Sequence, residues 1–200
     1  MTWPATARYR LDPAPGGLAL AQDLLNTVAA GAPRQPDLLA GLDDARAWAR
    51  DALAAWSAVT GQPAPQVALD AHGLEELRAF RDDLHGLTAT ARNVAAGATA
   101  AAAPVLYTAT AALRLGEDGC VRLEPRGTGW RRLVSLTLAA VFEGQHTDSR
   151  RRLKTCRNPR CRVAFYDRSR NNSGVWHDVK TCGNAANLRA YRARRRLQNA

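Results

Sequence analysis

The chain has 200 residues, 46% of them apolar, and a formal net charge of +10. That size suits one domain, or one domain with a small appendage, and the apolar share is ordinary for a globular protein. A membrane span is not expected, because the longest uncharged run, Asn93–Leu113, is rich in Ala, Thr and Gly and contains Pro104. The charge is split unevenly. Residues 1–149 hold 13 Lys+Arg against 16 Asp+Glu, whereas residues 150–200 hold 15 Lys+Arg against two Asp. A mildly acidic body thus precedes a segment at +13, the pattern of a polyanion-binding module. All but two of the 15 cations in that segment are arginine, whose planar fork fits phosphates and guanine edges.

In chain order, residues 1–17 are rich in Pro and Gly and read as extended. A helix is predicted over Leu18–Ala30, with Leu24, Leu25 and Val28 on one face and Gly31 at its end. Gln22, Asp23 and Asn26 interrupt its apolar residues, so it is no secretory h-region, and a cytoplasmic location is expected. Asn26, polar among apolar neighbours, is a candidate effector-binding group; the plainer account is a satisfied buried amide. Asp43 or Asp44 is placed to N-cap a second helix, whose stripe is Ala45, Trp48, Ala49, Ala52, Leu53 and Trp56. A third helix is predicted over Gly73–Ala96 from the stripe Leu77, Phe80, Leu84, Leu87 and Ala91.

The period then changes. Val105–Leu115 alternates, Gly116–Gly119 is turn-forming and Cys120–Leu123 returns, which predicts a β-hairpin near 105–124. A fourth helix is predicted over Trp130–Phe142, and Gly144–Ser149 reads as a hinge. The expected fold is a mainly α body with a small hairpin, residues 1–149, followed by a small C-terminal metal module, residues 150–200. The tryptophans at 48, 56 and 130 read as core, and His72, His85 and His146 as scattered surface or partly buried residues. The chain has no Gly-rich phosphate loop, nucleophile elbow or H-E-x-x-H motif, and no enzyme is expected.

The tail carries the chemistry. Cys156 and Cys161 stand as C-x4-C, and His177 and Cys182 as H-x4-C, with fifteen residues between the pairs. Each pair can wrap one side of a small ion from a tight turn, as a tetrahedral structural zinc site requires. Disulfides would instead leave one tail cysteine unpaired or bonded to distant Cys120. Asn158-Pro159 supplies the first turn, Val163–Tyr166 reads as a short strand, and Asn184 is placed to N-cap a helix over Ala185–Leu197. With so few apolar residues the module depends on its ion, and four protein donors leave no open position for catalysis.

The strings Cys156-Arg157-Asn158-Pro159-Arg160-Cys161, Phe165-Tyr166-Asp167-Arg168-Ser169-Arg170-Asn171, Trp176-His177 and Cys182-Gly183-Asn184 resemble the CGNR zinc finger. Leu18-Ala19-Leu20, Leu25-Asn26-Thr27-Val28 and Asp37-Leu38-Leu39 are similar to the opening of the helical ABATE domain that precedes this finger in bacterial proteins of about this length. The resemblance implies a stress-induced transcription regulator and hence DNA binding. Two positions depart from the family pattern: His177 stands where it carries cysteine, and Ala185 where it carries its name-giving arginine.

The candidate phosphate contacts are Arg150, Arg151, Arg152, Lys154, Arg168, Arg170, Arg189, Arg192, Arg195 and Arg196. Duplex DNA is the first expectation. RNA is a second, since Phe165, Tyr166, Trp176 and Tyr191 are types that stack on unpaired bases, although the core is the plainer place for them. A protein-interaction platform is a third. A homodimer would suit a palindromic operator, and a small-molecule effector would suit a regulator with a separate body.

Overall fold

The computed structural model describes residues 2–94, 106–188, 192 and 195, with the side chains of 89–94 outside that description. Four helices build the body: α1 (Leu18–Leu25), α2 (Leu42–Thr60), α3 (Ala71–Val94) and α4 (Gly129–His146). Between α3 and α4 lies the hairpin β1 (Ala111–Leu115) and β2 (Val121–Pro125), paired from Ala111↔Pro125 to Leu115↔Val121. After α4 comes a second antiparallel pair, β3 (Leu153–Thr155) and β4 (Ala164–Tyr166). No helix among the described residues is long and apolar enough to cross a membrane.

Short, fully buried α1 is the hub, packed against α2, α3 and α4 and against β4. It stops at Leu25, short of the predicted Ala30. The Thr27 hydroxyl donates to the Leu24 carbonyl (2.7 Å) and competes with continuation of the helical ladder. Gly41, in extended conformation, is the N-cap of α2; Asp43 and Asp44 lie in its first turn, where they still complement the helix dipole. The Asp70 carboxylate accepts from Gly73 N (2.7 Å) at the start of α3. Residues 95 and 96 of the predicted third helix, and Val105 of the predicted strand, lie outside the described residues.

Residues 2–17 are not simply extended. Trp3, Ala5 and Ala14 are buried, and Thr6–Tyr9 forms a 3-10 turn. The Asp23 carboxylate anchors it, accepting from Ala5 N (3.1 Å), Thr6 N (2.7 Å) and Trp48 Nε1 (2.9 Å). Burial raises the Asp23 carboxyl above its ordinary range against the pull of those bonds.

Packing runs across the expected boundary after residue 149. Leu153 and Ala164 belong to the same apolar cluster as Leu20, Leu24, Trp48 and Phe80. A second cluster joins Val28 and Ala30 to Cys156, Cys161, Val163 and Cys182, with Tyr9, Leu11 and Trp176 against it. The tail therefore completes its small core with residues of the body, and the ion is one of two sources of its stability.

Candidate metal centre and nucleic-acid interface

The first ligand pair hangs from β3. Cys156 N donates to Val163 O (2.8 Å), extending the β3–β4 ladder by one bond, and Cys161 N closes the Asn-Pro turn on Asn158 O (2.9 Å). Arg162 leaves the turn in left-handed conformation (φ 62°), which returns the chain to β4. The second pair is set by Asp178, whose carboxylate accepts from Lys180 N (2.7 Å) and Thr181 N (3.4 Å) at the head of a π-helical turn, Val179–Gly183. That turn carries Cys182 inward.

The ligand atoms of Cys156, Cys161, His177 and Cys182 all lie within 4.8 Å of one another, with Cys161 Sγ 3.3 Å from His177 Nδ1. A tetrahedral zinc with Zn–S of about 2.3 Å and Zn–N of about 2.0 Å needs donors roughly 3.5–3.8 Å apart, so small adjustments close the shell. The chemistry of the donors fits as well. The hydrogen bond from the Cys161 thiol holds Cys156 below the ordinary thiol range, and the same bond, with burial, pushes Cys161 up, so the facing sulfurs share a proton that a cation displaces. Asn158 Nδ2 lies 3.3 Å from Cys182 Sγ and supplies a donor to a third thiolate. The four residues form one structural zinc-binding cluster.

Residues 152–195 match the model of one family. The family matched over that segment is the CGNR zinc finger. No curated protein matches the chain. Within the matched segment Ala185 is half-buried and helical, so this CGNR-like finger has no guanidinium at that position.

The structure redistributes the expected cations. Lys154 is corrected from a phosphate contact to a buried strut. It is 6% exposed, and its ammonium donates to Asp167 Oδ2 (2.6 Å), Asn172 O (2.7 Å) and Gly174 O (3.0 Å). Burial would raise the Asp167 carboxyl, but Lys154, Ser169 and Gly174 outweigh it and bring it to about 2. Asp167 thus organises the 167–174 turn, with no hydrogen bond to His177 among those of its side chain. Arg152 is also engaged, donating to Asp167 O (3.0 Å) and Ser169 O (2.8 Å), and Arg150 is half-buried.

Arg151 is exposed and paired with Asp148 (2.6 Å). Arg168 is exposed, donates to Pro13 O (2.8 Å) and lies 3.8 Å from Asp12. Arg170, Arg192 and Arg195 are exposed, while Arg189 and Arg196 lie outside the described residues. Sequence reasoning left out Arg157, Arg160 and Lys180, which the knuckle and the π-turn expose beside the ligands. The signal was there for these cations, since a charged side chain between two turn-held ligands stays in water unless an acid pairs with it, whereas the neutral Asn158 of the same turn is buried. The final helix also begins differently. Residues 184–188, 192 and 195 are helical, but Asp178 caps the π-turn that leads into them, and Asn184 lies inside in helical conformation.

Asn26 is likewise corrected. It is wholly buried; its amide exchanges two hydrogen bonds with the Ala164 backbone, both 2.9 Å, and reaches Thr6 Oγ1 at 3.3 Å. It extends β4 from the end of α1 as a side-chain stand-in for a neighbouring strand.

Proposed function

We propose that the protein is a non-enzymatic bacterial transcription regulator in the cytoplasm, with a CGNR-like finger that binds duplex DNA through phosphate contacts and an ABATE-like body that carries it. The observation that supports this most directly is the set of exposed cations gathered on a segment pinned by zinc: Arg157, Arg160, Arg170, Lys180, Arg192 and Arg195. Zinc supplies stability rather than reactivity, because Cys156, Cys161, His177 and Cys182 occupy all four positions of a tetrahedral shell. Lys154 and Asp167 brace the turn that presents Arg168 and Arg170, and Asp178 sets the direction of the basic helix. Neutralising about 6 phosphates gives a log–log salt slope near −5.

Fluorescence anisotropy of the zinc-loaded protein on duplex DNA, titrated with salt, tests this. A slope near −5, reduced by roughly 3 in the triple variant Arg157→Gln, Arg160→Gln, Arg170→Gln, is expected. Absence of binding at low salt refutes it, and a preference for single-stranded RNA at equal salt replaces it with RNA recognition.

A further inference from the structure

A group of arginines in the body lies outside the finger segment. A cleft of about 460 Å3 opens between the β1–β2 hairpin, the loop after α2 and α4. Arg114, Arg122 and Arg132 line it, with Glu124 as the single acid. The residues that line the cleft thus carry a net two units of positive charge within a body whose 149 residues sum to −3.

The register makes this costly in isolation. Arg114 and Arg122 are direct cross-strand partners, and like charges opposite one another destabilise a two-stranded sheet. Neighbouring acids offset the repulsion only in part. Arg122 is bonded to Asp118, whereas Arg114 lies 3.9 Å from a Glu124 that also receives Arg126 at 3.0 Å. From α4, Arg132 brings a buried Nε–H that has no hydrogen-bond partner among the described residues. An unpaired buried donor on a cation costs free energy until an acceptor arrives. The opposite wall is apolar: Trp56, Pro63, Pro65 and Leu123.

We propose that this cleft binds an amphipathic organic carboxylate. The anion would sit between Arg114 and Arg122 and accept from Arg132 Nε, and its apolar part would lie on the Trp56 and proline wall. The volume is that of a small-molecule site. Glu124 disfavours a multiply charged phosphate and selects a monoanion, with an acceptor to spare for a hydroxyl on the ligand. No residue of the finger takes part, so the site stands or falls independently of DNA binding.

Isothermal titration calorimetry of the zinc-loaded full chain with 2-naphthoate tests it. The expected result is saturable binding that weakens at least tenfold for the neutral analogue 2-naphthamide. Arg132→Met should lose binding by a similar factor. Arg114→Gln alters a largely exposed side chain and leaves the fold intact; it should weaken naphthoate about tenfold while leaving naphthamide unchanged. No heat at millimolar naphthoate, equal affinity for naphthamide, an unaltered Arg114→Gln variant, or inorganic phosphate binding as tightly as naphthoate would each overturn the proposal.

Discussion

β1–β2 and β3–β4 are both two-stranded antiparallel sheets, yet their surroundings are opposite. On β1–β2, Leu113, Leu115 and Val121 are 75%, 71% and 61% exposed, whereas all three residues of β3 are buried, Lys154 among them. An isolated pair of strands is marginal in water. β1–β2 leans chiefly on α4, through the C-terminal end of β2, where Pro125 is buried. β3–β4 is held by α3, by α1 through Asn26, by the Lys154–Asp167 pair and by the metal ligands that continue its ladder. The difference teaches that apolar content does not decide which hairpin is buried; the number of independent anchors does.

Removing those anchors one at a time ranks them. Chelation of zinc should have the largest effect, since comparable sites contribute on the order of 10–16 kcal/mol. Loss of the finger's near-ultraviolet circular dichroism, with the helical far-ultraviolet signal of the body largely kept, is expected; an unchanged near-ultraviolet spectrum would show that the body core holds β3–β4 by itself. Asp167→Asn leaves the Lys154 ammonium buried without its counter-ion and should cost about 3–5 kcal/mol in denaturant unfolding. A loss under about 1 kcal/mol would mean that water reaches Lys154. Asn26→Leu strands both the amide and the carbonyl of Ala164, for about 2–5 kcal/mol. Were Asn26 a ligand group instead, its replacement would leave stability nearly unchanged.

Acid should act on β3–β4 next. The Asp167 carboxyl lies at about 2 in the folded chain against an ordinary 3.8, so its stabilisation is complete above pH 4 and lost as pH falls towards 2. The difference in stability between wild type and Asp167→Asn should shrink by about 2 kcal/mol over that window; a constant difference would contradict the depressed value. The smallest effect belongs to β1–β2, where Leu113→Thr should change stability by less than about 0.5 kcal/mol. A large loss there would reveal that the exposed face of the hairpin is covered in solution.

How much of this was legible follows the same division. The ligands Cys156, Cys161, His177 and Cys182 were readable because two short turns hold them, and spacing within a turn is a local property. The four helices and β1–β2 were readable from apolar period and turn residues. β3 was not, because Arg150-Arg151-Arg152-Leu153-Lys154 presents as a run of cations, and the partner that turns Lys154 inward is Asp167, 13 residues further on. Asn26 was ambiguous for a related reason. An amide on a helix has the same appearance whether it serves a ligand or a strand, and its strand lies 138 residues away.

That last separation has a consequence for handling the protein. The Asn26 amide and Val28 touch the segment that bears the ligands, so the free energy of forming the body and that of holding the ion are linked, and linkage is reciprocal. The equilibrium affinity of the chain for zinc, read by competition with a chromogenic chelator, thereby becomes a gauge of damage as remote as α1, legible in a spectrophotometer without any knowledge of what the body recognises.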